Sequence, residues 1–296
     1  MQKDFLFLNY SWVWGSTTYF NYFREKGHTI DIFNETNLPT HLEHTYKNVV
    51  LYLHEGSTIP ITNHLLNNYL KDSFLIQHDD TDEEQIQVWS NRKPDLYMQR
   101  ELTKDTIINS NTPVIPFHFP MKSIFDEKLN EEKIYDVSFV ANMTNQRRWK
   151  FVDYIIELSK NELSHLNWYI DVKGADYTPG HATENFKSVT NKSKIGLHYF
   201  GNSYDSTRIW EILSCKTALL MPKMRNLSVS DDFMPLKNYT VFNDDMSDLK
   251  DKILELLDSD NYIKKAEEGF NEYNSYHNVE KSCEYYYNQI MKYCKK

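Results

Sequence analysis

The chain has 296 residues, enough for two α/β domains of ordinary size, and its 40% hydrophobic and 25% charged residues exclude a disordered polypeptide. A net charge of -9 with no long Lys/Arg block argues against nucleic acid as a partner. The apolar stretch 5–14 is too short and too interrupted for a signal peptide or membrane span, and Cys215, Cys283 and Cys294, odd in number and without metal-ligand spacing, suit a reducing cytoplasm.

Short apolar runs at 5–8, 29–33, 49–53, 74–77, 95–98 and 114–117 alternate with amphipathic segments, the pattern of parallel strands covered by helices. A helix over 17–26 is expected to end at Gly27, which tolerates the left-handed conformation of a C-cap. Pro113, Pro116 and Pro120, followed by a charged stretch, mark an interdomain connection. A second series follows: strand 135–140, helix 146–160, strand 167–172, a short helix at 184–191, strand 194–199, helix 208–215, strands 218–221 and 239–242, and helical segments 246–257, 262–273 and 279–293. The expected fold is α/β, with two Rossmann-like doubly wound domains, 1–125 and 126–274, facing a cleft, and a helical tail over 275–296. Ligands of such sheets bind at the carboxyl ends of the strands.

The segment 203–220 is the most informative. A polar loop with Ser203 and Tyr204 leaves one apolar strand, and Asp205, Ser206 and Thr207 cap a helix that runs into the next. Free N–H groups and the dipole at that helix start favour an anion, Arg208 adds a cationic fork for phosphate oxygens, and Glu211, one turn on, can accept both hydroxyls of a ribose. From the residues alone a second reading stands beside it: an i,i+3 ion pair on a solvated helix surface, worth about 0.2–0.5 kcal/mol.

In the first half, strand 74–77 ends in His78, Asp79 and Asp80, which either take a proton from a substrate hydroxyl or, with Asp82, cap the next helix. His54 closes strand 49–53 where ligand-facing loops belong, and is read either as a binding residue or as a hydrogen-bonded structural histidine. The loop 9–16 holds Trp12, Trp14, Gly15 and Ser16. Gly15 allows close backbone approach to a ligand and an exposed indole such as Trp14 offers a face for a sugar, while core packing is the competing role for at least one tryptophan. No dinucleotide fingerprint, Walker A loop or nucleophile elbow occurs, and Asp80-Thr81-Asp82 is only formally a metal-binding Asp-x-Asp.

Arg208-Ile209-Trp210-Glu211-Ile212-Leu213-Ser214-Cys215 resembles the R-x-F-E-x-L-A-C-G segment of CgeB-like glycosyltransferases, relatives of glycosyltransferase family 4 with the GT-B fold. Residues 135–142 with Arg147 and Arg148, then 239–242, Asp248-Leu249 through Leu256-Leu257, Glu267-Glu268-Gly269 and His277, are similar to the same family in order and spacing. The resemblance covers roughly 135 to the C terminus. It implies a UDP-sugar donor and a hydroxyl acceptor, Glu211 on the donor ribose, Arg208 with Arg147 or Arg148 on the diphosphate, and backbone N–H groups of 142–144, beginning at Asn142, on the same phosphates. It implies no cofactor or metal, since arginines neutralise the leaving diphosphate, and a tail that packs back on the first domain. Two departures stand out: Ser203 occupies the place of a second glutamate, and Lys216 that of a glycine. The missing glutamate keeps open a non-catalytic sugar-nucleotide or glycan-binding module, with a nucleic-acid-modifying transferase as a third reading.

Overall fold

A computed structural model describes residues 2–10, 16–34, 36–52, 59–79, 90–103, 112–118, 132–143, 145–173, 183–225 and 233–294. The chain divides into two compact units. One holds residues 1–120, 226–228 and 279–296, the other 121–225 and 229–278.

The first unit is built on strands β1 (Gln2–Tyr10), β2 (Ile30–Asn34), β3 (Thr45–Tyr52), β4 (Phe74–Asp79), β5 (Leu96–Gln99) and β6 (Val114–Pro116), all parallel, in the order β2-β1-β3-β4-β5-β6. Helix α1 (Ser16–Glu25) ends as the sequence predicts: Gly27 takes φ 88° and the His28 N–H reaches back to the Phe23 carbonyl. Helix α2 (Ile59–Asn68) buries Thr62, Leu65 and Leu66, with Pro60 near its start, where proline loses no helical hydrogen bond. Pro116 closes the edge strand β6, a place where a missing N–H costs nothing, so it belongs to the sheet and not to the interdomain connection.

Three consecutive tyrosines tie the last helix, α8 (Val279–Tyr293), to this unit. Tyr285 Oη donates to the Pro116 carbonyl at 2.8 Å, Tyr286 Oη lies 2.6 Å from His78 Nδ1 and Tyr287 Oη 2.9 Å from His28 Nε2. Tyr286 also stacks on Tyr19 with centroids 4.1 Å apart, and Cys283, Ile290 and Cys294 join Phe5, Phe7, Phe20 and Phe23 in one apolar cluster.

The second unit holds strands β7 (Tyr135–Asn142), β8 (Trp168–Lys173), β9 (Ser193–Leu197), β10 (Ala218–Pro222) and β11 (Thr240–Phe242), again all parallel, in the order β11-β10-β9-β7-β8. Helices α3 (Gln146–Lys160), α4 (Thr183–Asn191), α5 (Thr207–Ser214), α6 (Leu249–Leu257) and α7 (Asn261–Glu272) complete it, α7 running into a π-helical turn at Tyr273–His277. Two glycines set the packing. A Cβ on Gly196 of β9 would lie 2.8 Å from Ile212 Cγ2 of α5, and one on Gly269 of α7 would lie 2.8 Å from Leu213 Cδ2 and 3.1 Å from the Asn238 carbonyl. Helix α5 is thereby pressed between the β9 backbone and α7, with Trp210 buried and stacked on His277 at 4.5 Å. Among the described residues no helix is long and apolar enough to cross a membrane.

Buried His78 gives the first unit a pH dependence. Burial, with the Arg100 charge, pushes its pKa down to about 3. Above the ordinary value near 6.5 the imidazole is neutral in both folded and unfolded chains, and its contribution is complete. Below that value the unfolded chain takes up a proton that the folded one refuses, so stability falls as pH drops toward the folded pKa, by about 1.4 kcal/mol per pH unit. Unfolding free energies from urea titrations at pH 6.5 and 5.5 are expected to differ by about 1 kcal/mol more in the wild type than in His78→Gln, which keeps a partner for Tyr286, because the unfolded imidazole is already half protonated at pH 6.5.

Candidate functional site

In the second sheet β7 connects to β8 on one side, while β9 lies on its other side, so the strand order reverses between β7 and β9. Open α/β sheets place their ligands at the carboxyl ends of the strands flanking such a reversal. Here those ends are Asn142 and Leu197, and the helices that follow, α3 and α5, begin beside them.

Helix α5 starts at Ser206, which has φ -121° and ψ 133° and accepts the Arg208 N–H at 3.4 Å. Of the other expected caps, Thr207 is the first helical residue and Asp205 turns inward to accept from Trp210 Nε1 at 3.0 Å. The Arg208 guanidinium lies over the Phe186 ring, 3.4 Å from its centroid, and 2.9 Å from Glu211 Oε2. The solvated ion pair allowed by the sequence is not what forms: the side chains are 21% and 11% exposed. Glu211 Oε2 is buried and accepts no hydrogen bond among the described residues. Burial raises the Glu211 pKa against the pull of Arg208, and burial lowers that of Arg208 against the pull of Glu211.

Helix α3 is capped by Asn145, whose side chain accepts the Arg148 N–H at 3.0 Å and donates to the Gly201 carbonyl at 2.7 Å, joining the loops after β7 and β9. The two adjacent arginines have different surroundings. Arg147 is exposed. Arg148 is buried, and its two terminal nitrogens each donate at 2.7 Å, one to the Asn142 carbonyl at the end of β7 and one to the Tyr199 carbonyl just beyond β9. Burial and the neighbouring charge of Arg208 push its pKa down to about 10. Two mutually repelling guanidinium groups, of which only Arg208 is paired with a carboxylate, leave an excess of positive charge in a low-dielectric place, which suits an anion.

The remaining expected residues fall as follows. Asn142, Ser203, Tyr204 and Thr207 are all partly buried on this rim. Ser203 Oγ donates to the Asp205 carbonyl at 3.1 Å, and the Tyr204 ring packs edge-on against Phe200 at 5.1 Å. The Met143 N–H, expected to be offered to a ligand, is taken by the Lys173 carbonyl at 2.9 Å, because β7 runs two residues further than the sequence suggests and stays paired with β8 to its end; Thr144 lies outside the described residues. In the first unit His78 and Asp79 end β4, both buried, His78 among Tyr52, Phe117 and Tyr286. Trp14, Gly15, His54, Asp80 and Asp82 lie outside the described residues.

Three features escaped the sequence reading. Arg225, beyond β10, lies 5.6 Å from the Tyr204 ring and pairs with Asp244 at 2.8 Å, adding a further cation near this rim. Arg100 and Glu101 form a buried ion pair at 2.8 Å after β5. His198, buried directly after β9, feels both Arg148 and Arg208. The only signal for it was a histidine closing the apolar run of β9.

Helix α5 ends with Lys216 in the place of the family's glycine, and Lys216 adopts the left-handed φ of 51° that a glycine would take. A side chain there costs about 1–2 kcal/mol, against which stands an exposed ion pair with Glu267, worth about 0–1 kcal/mol. Lys216→Gly is therefore expected to raise stability by up to about 1 kcal/mol, read as a higher urea midpoint with unchanged slope.

No protein-family profile matches the chain, and no curated protein is similar to it in sequence. Solved structures do share its fold. The pneumococcal O-GlcNAc transferase GtfA, solved with UDP and GlcNAc, matches with a TM-score of 0.55 at 11% identity over 84% of this chain and 57% of its own. Anabaena HepE, solved with UDP and glucose, gives 0.53 at 8% identity over 98% of this chain and 100% of its own. The N-terminal domain of Candida albicans trehalose-6-phosphate phosphatase gives 0.60 at 9% identity over 87% and 74%. The chain thus spans little more than half of the pneumococcal enzyme and the whole length of the Anabaena one. At these identities the likeness establishes the two-unit α/β fold.

Proposed function

We propose that this protein is a glycosyltransferase of the CgeB-like kind, moving a hexose of the glucose type from a UDP-sugar to a hydroxyl acceptor. The observation that carries this reading is the buried Glu211 carboxylate, whose Oε2 has the Arg208 guanidinium at 2.9 Å as its ion-pair partner and accepts no further hydrogen bond among the described residues, where the strand order of the second sheet reverses. A ribose hydroxyl completes the valence of that carboxylate, and a diphosphate neutralises the excess positive charge of Arg208 and Arg148. Both guanidinium groups are oriented in advance, one by the Phe186 face and Glu211, the other by two carbonyls, so little side-chain freedom is lost on binding.

In the transfer, the bond between the anomeric carbon and the β-phosphate oxygen breaks while charge gathers on the departing UDP. Fixed cations in a low-dielectric site stabilise that charge more than the ground state, which is the condition for acceleration. In this account exposed Arg147 and the Tyr204–Arg225 pair add to the rim, the arginines make a metal unnecessary, residues 1–125 bind the acceptor, 126–274 the donor, and 275–296 return to the first domain. His78 is left out of the proton-transfer step, because it is buried, engaged by Tyr286 and held neutral. Asp79, which ends β4, and Asp80, which lies outside the described residues, remain the proposed candidates for the base.

Ser203 favours a second reading. Its hydroxyl turns to the Asp205 carbonyl in the place of the family's second glutamate, which suits a sugar-nucleotide-binding module without turnover. The assay that separates the two measures UDP release from a set of UDP-sugars, with and without sugar acceptors. Acceptor-dependent release supports the transferase, and tight UDP binding with no release on any acceptor supports the module.

A further inference from the structure

His198, directly after β9, carries an unused hydrogen-bonding group beside Arg148 and Arg208. Its backbone is fixed by the sheet, since its N–H donates to the Leu220 carbonyl at 3.0 Å just past the end of the central strand β9. Its ring is 2% exposed and meets Phe200 edge-on at 5.7 Å. Nε2 is buried and has no hydrogen-bond partner among the described residues. Burial and the charges of Arg148 and Arg208 lower its pKa well below the ordinary histidine value, so the ring is neutral and keeps one N–H.

A buried polar nitrogen without a partner destabilises the unliganded protein, and an apolar residue of the same size would remove that penalty. A histidine at this position therefore points to a partner that arrives with the ligand. The chemistry of the surroundings says which kind. A third cation beside Arg148 and Arg208 would add repulsion, whereas a neutral imidazole adds a directed N–H donor without adding charge.

We infer that His198 Nε2 is a further contact of the nucleotide pocket, donating its proton to a phosphate oxygen of the bound diphosphate. This rests on the reading of the Arg208–Glu211 site as a nucleotide site. The same donor in two chemical forms tests it: His198→Asn keeps a neutral N–H group, and His198→Leu keeps similar volume with none. UDP is titrated calorimetrically into both and into the wild type, with melting of each protein measured without ligand.

His198→Leu is expected to bind UDP about tenfold more weakly, the lower end of the effect of a hydrogen bond to a charged group, and His198→Asn within about threefold of wild type. Unliganded His198→Leu is expected to melt at or above the wild-type temperature. Equal UDP affinity for the two variants, whether both lose or neither does, overturns the inference and leaves His198 a core residue. If His198→Leu melts well below wild type, His198→Phe, closer to the imidazole in ring shape, takes its place under the same criterion. Failure of the wild type to bind UDP at all strikes the nucleotide-site reading first, and this inference with it.

Discussion

Replacing Arg208 by alanine is expected to weaken UDP binding by about 1.5–3 kcal/mol, the range for hydrogen bonds to a charged group, or roughly 10- to 150-fold in affinity. The Arg208 side chain is only 21% exposed, and its guanidinium is held by the Phe186 face at 3.4 Å and by Glu211 at 2.9 Å. Its charge is thus presented in a fixed direction with little screening by water, unlike that of a surface arginine. Removing it also leaves Glu211 buried without its counter-charge, and a ribose-binding carboxylate that goes neutral is a poorer acceptor. Arg208→Lys separates these effects. It restores the charge but not the flat face on Phe186 or the fork, so its UDP affinity is expected between wild type and alanine. Calorimetric titration of UDP into the three proteins measures this, and an alanine variant that binds like wild type contradicts it.

Gly196→Ala is expected to damage the same site from behind. The added methyl meets Ile212 Cγ2 at 2.8 Å, and Cδ1 and Cγ1 at 3.2 Å, on a residue that is 2% exposed. Overpacking of this kind costs about 1–3 kcal/mol, more than the 0.4–1 kcal/mol that alanine gains by stiffening the unfolded chain. Helix α5 must shift, and it carries Arg208 and Glu211, so UDP affinity is expected to fall together with the urea midpoint. Adding Ile212→Ala to Gly196→Ala empties the contested space. The double variant is expected to be more stable than the sum of its single changes predicts, and strict additivity would show that the two residues do not press on each other.

The strands of both sheets and most of the helices were legible in the sequence, because alternation of apolar runs with amphipathic segments is a local property. The misses have tertiary causes. Helix α2 was not singled out because Pro60 reads as a breaker unless its place in the first turn is known. Helix α6 starts at Leu249 and not at 246, since Met246 takes φ 64° and Asp248 accepts the Asn243 N–H in a turn. Within the site, Arg208 and Glu211 were found from a helix start and an i,i+3 spacing, whereas their burial depends on Phe186, distant in sequence and brought beneath them by α4. Arg147 and Arg148 were read together as candidates for the diphosphate, and nothing in the sequence told the exposed one from the buried one. What buries it is a pair of backbone carbonyls at the ends of β7 and β9, and no side-chain pattern encodes those. His198 stayed unseen for the same reason: its meaning lies in the two cations that α3 and α5 deliver to it.

A ligand that binds only the folded protein raises its melting temperature, so thermal melts of the wild type with UDP, ADP, GDP, CDP and uridine test the central claim without any knowledge of the acceptor. If α3 and α5 hold a pyrophosphate beside a ribose, UDP raises the melting temperature and uridine, which lacks the phosphates, does so far less. Melting curves that no nucleoside diphosphate displaces would contradict the account.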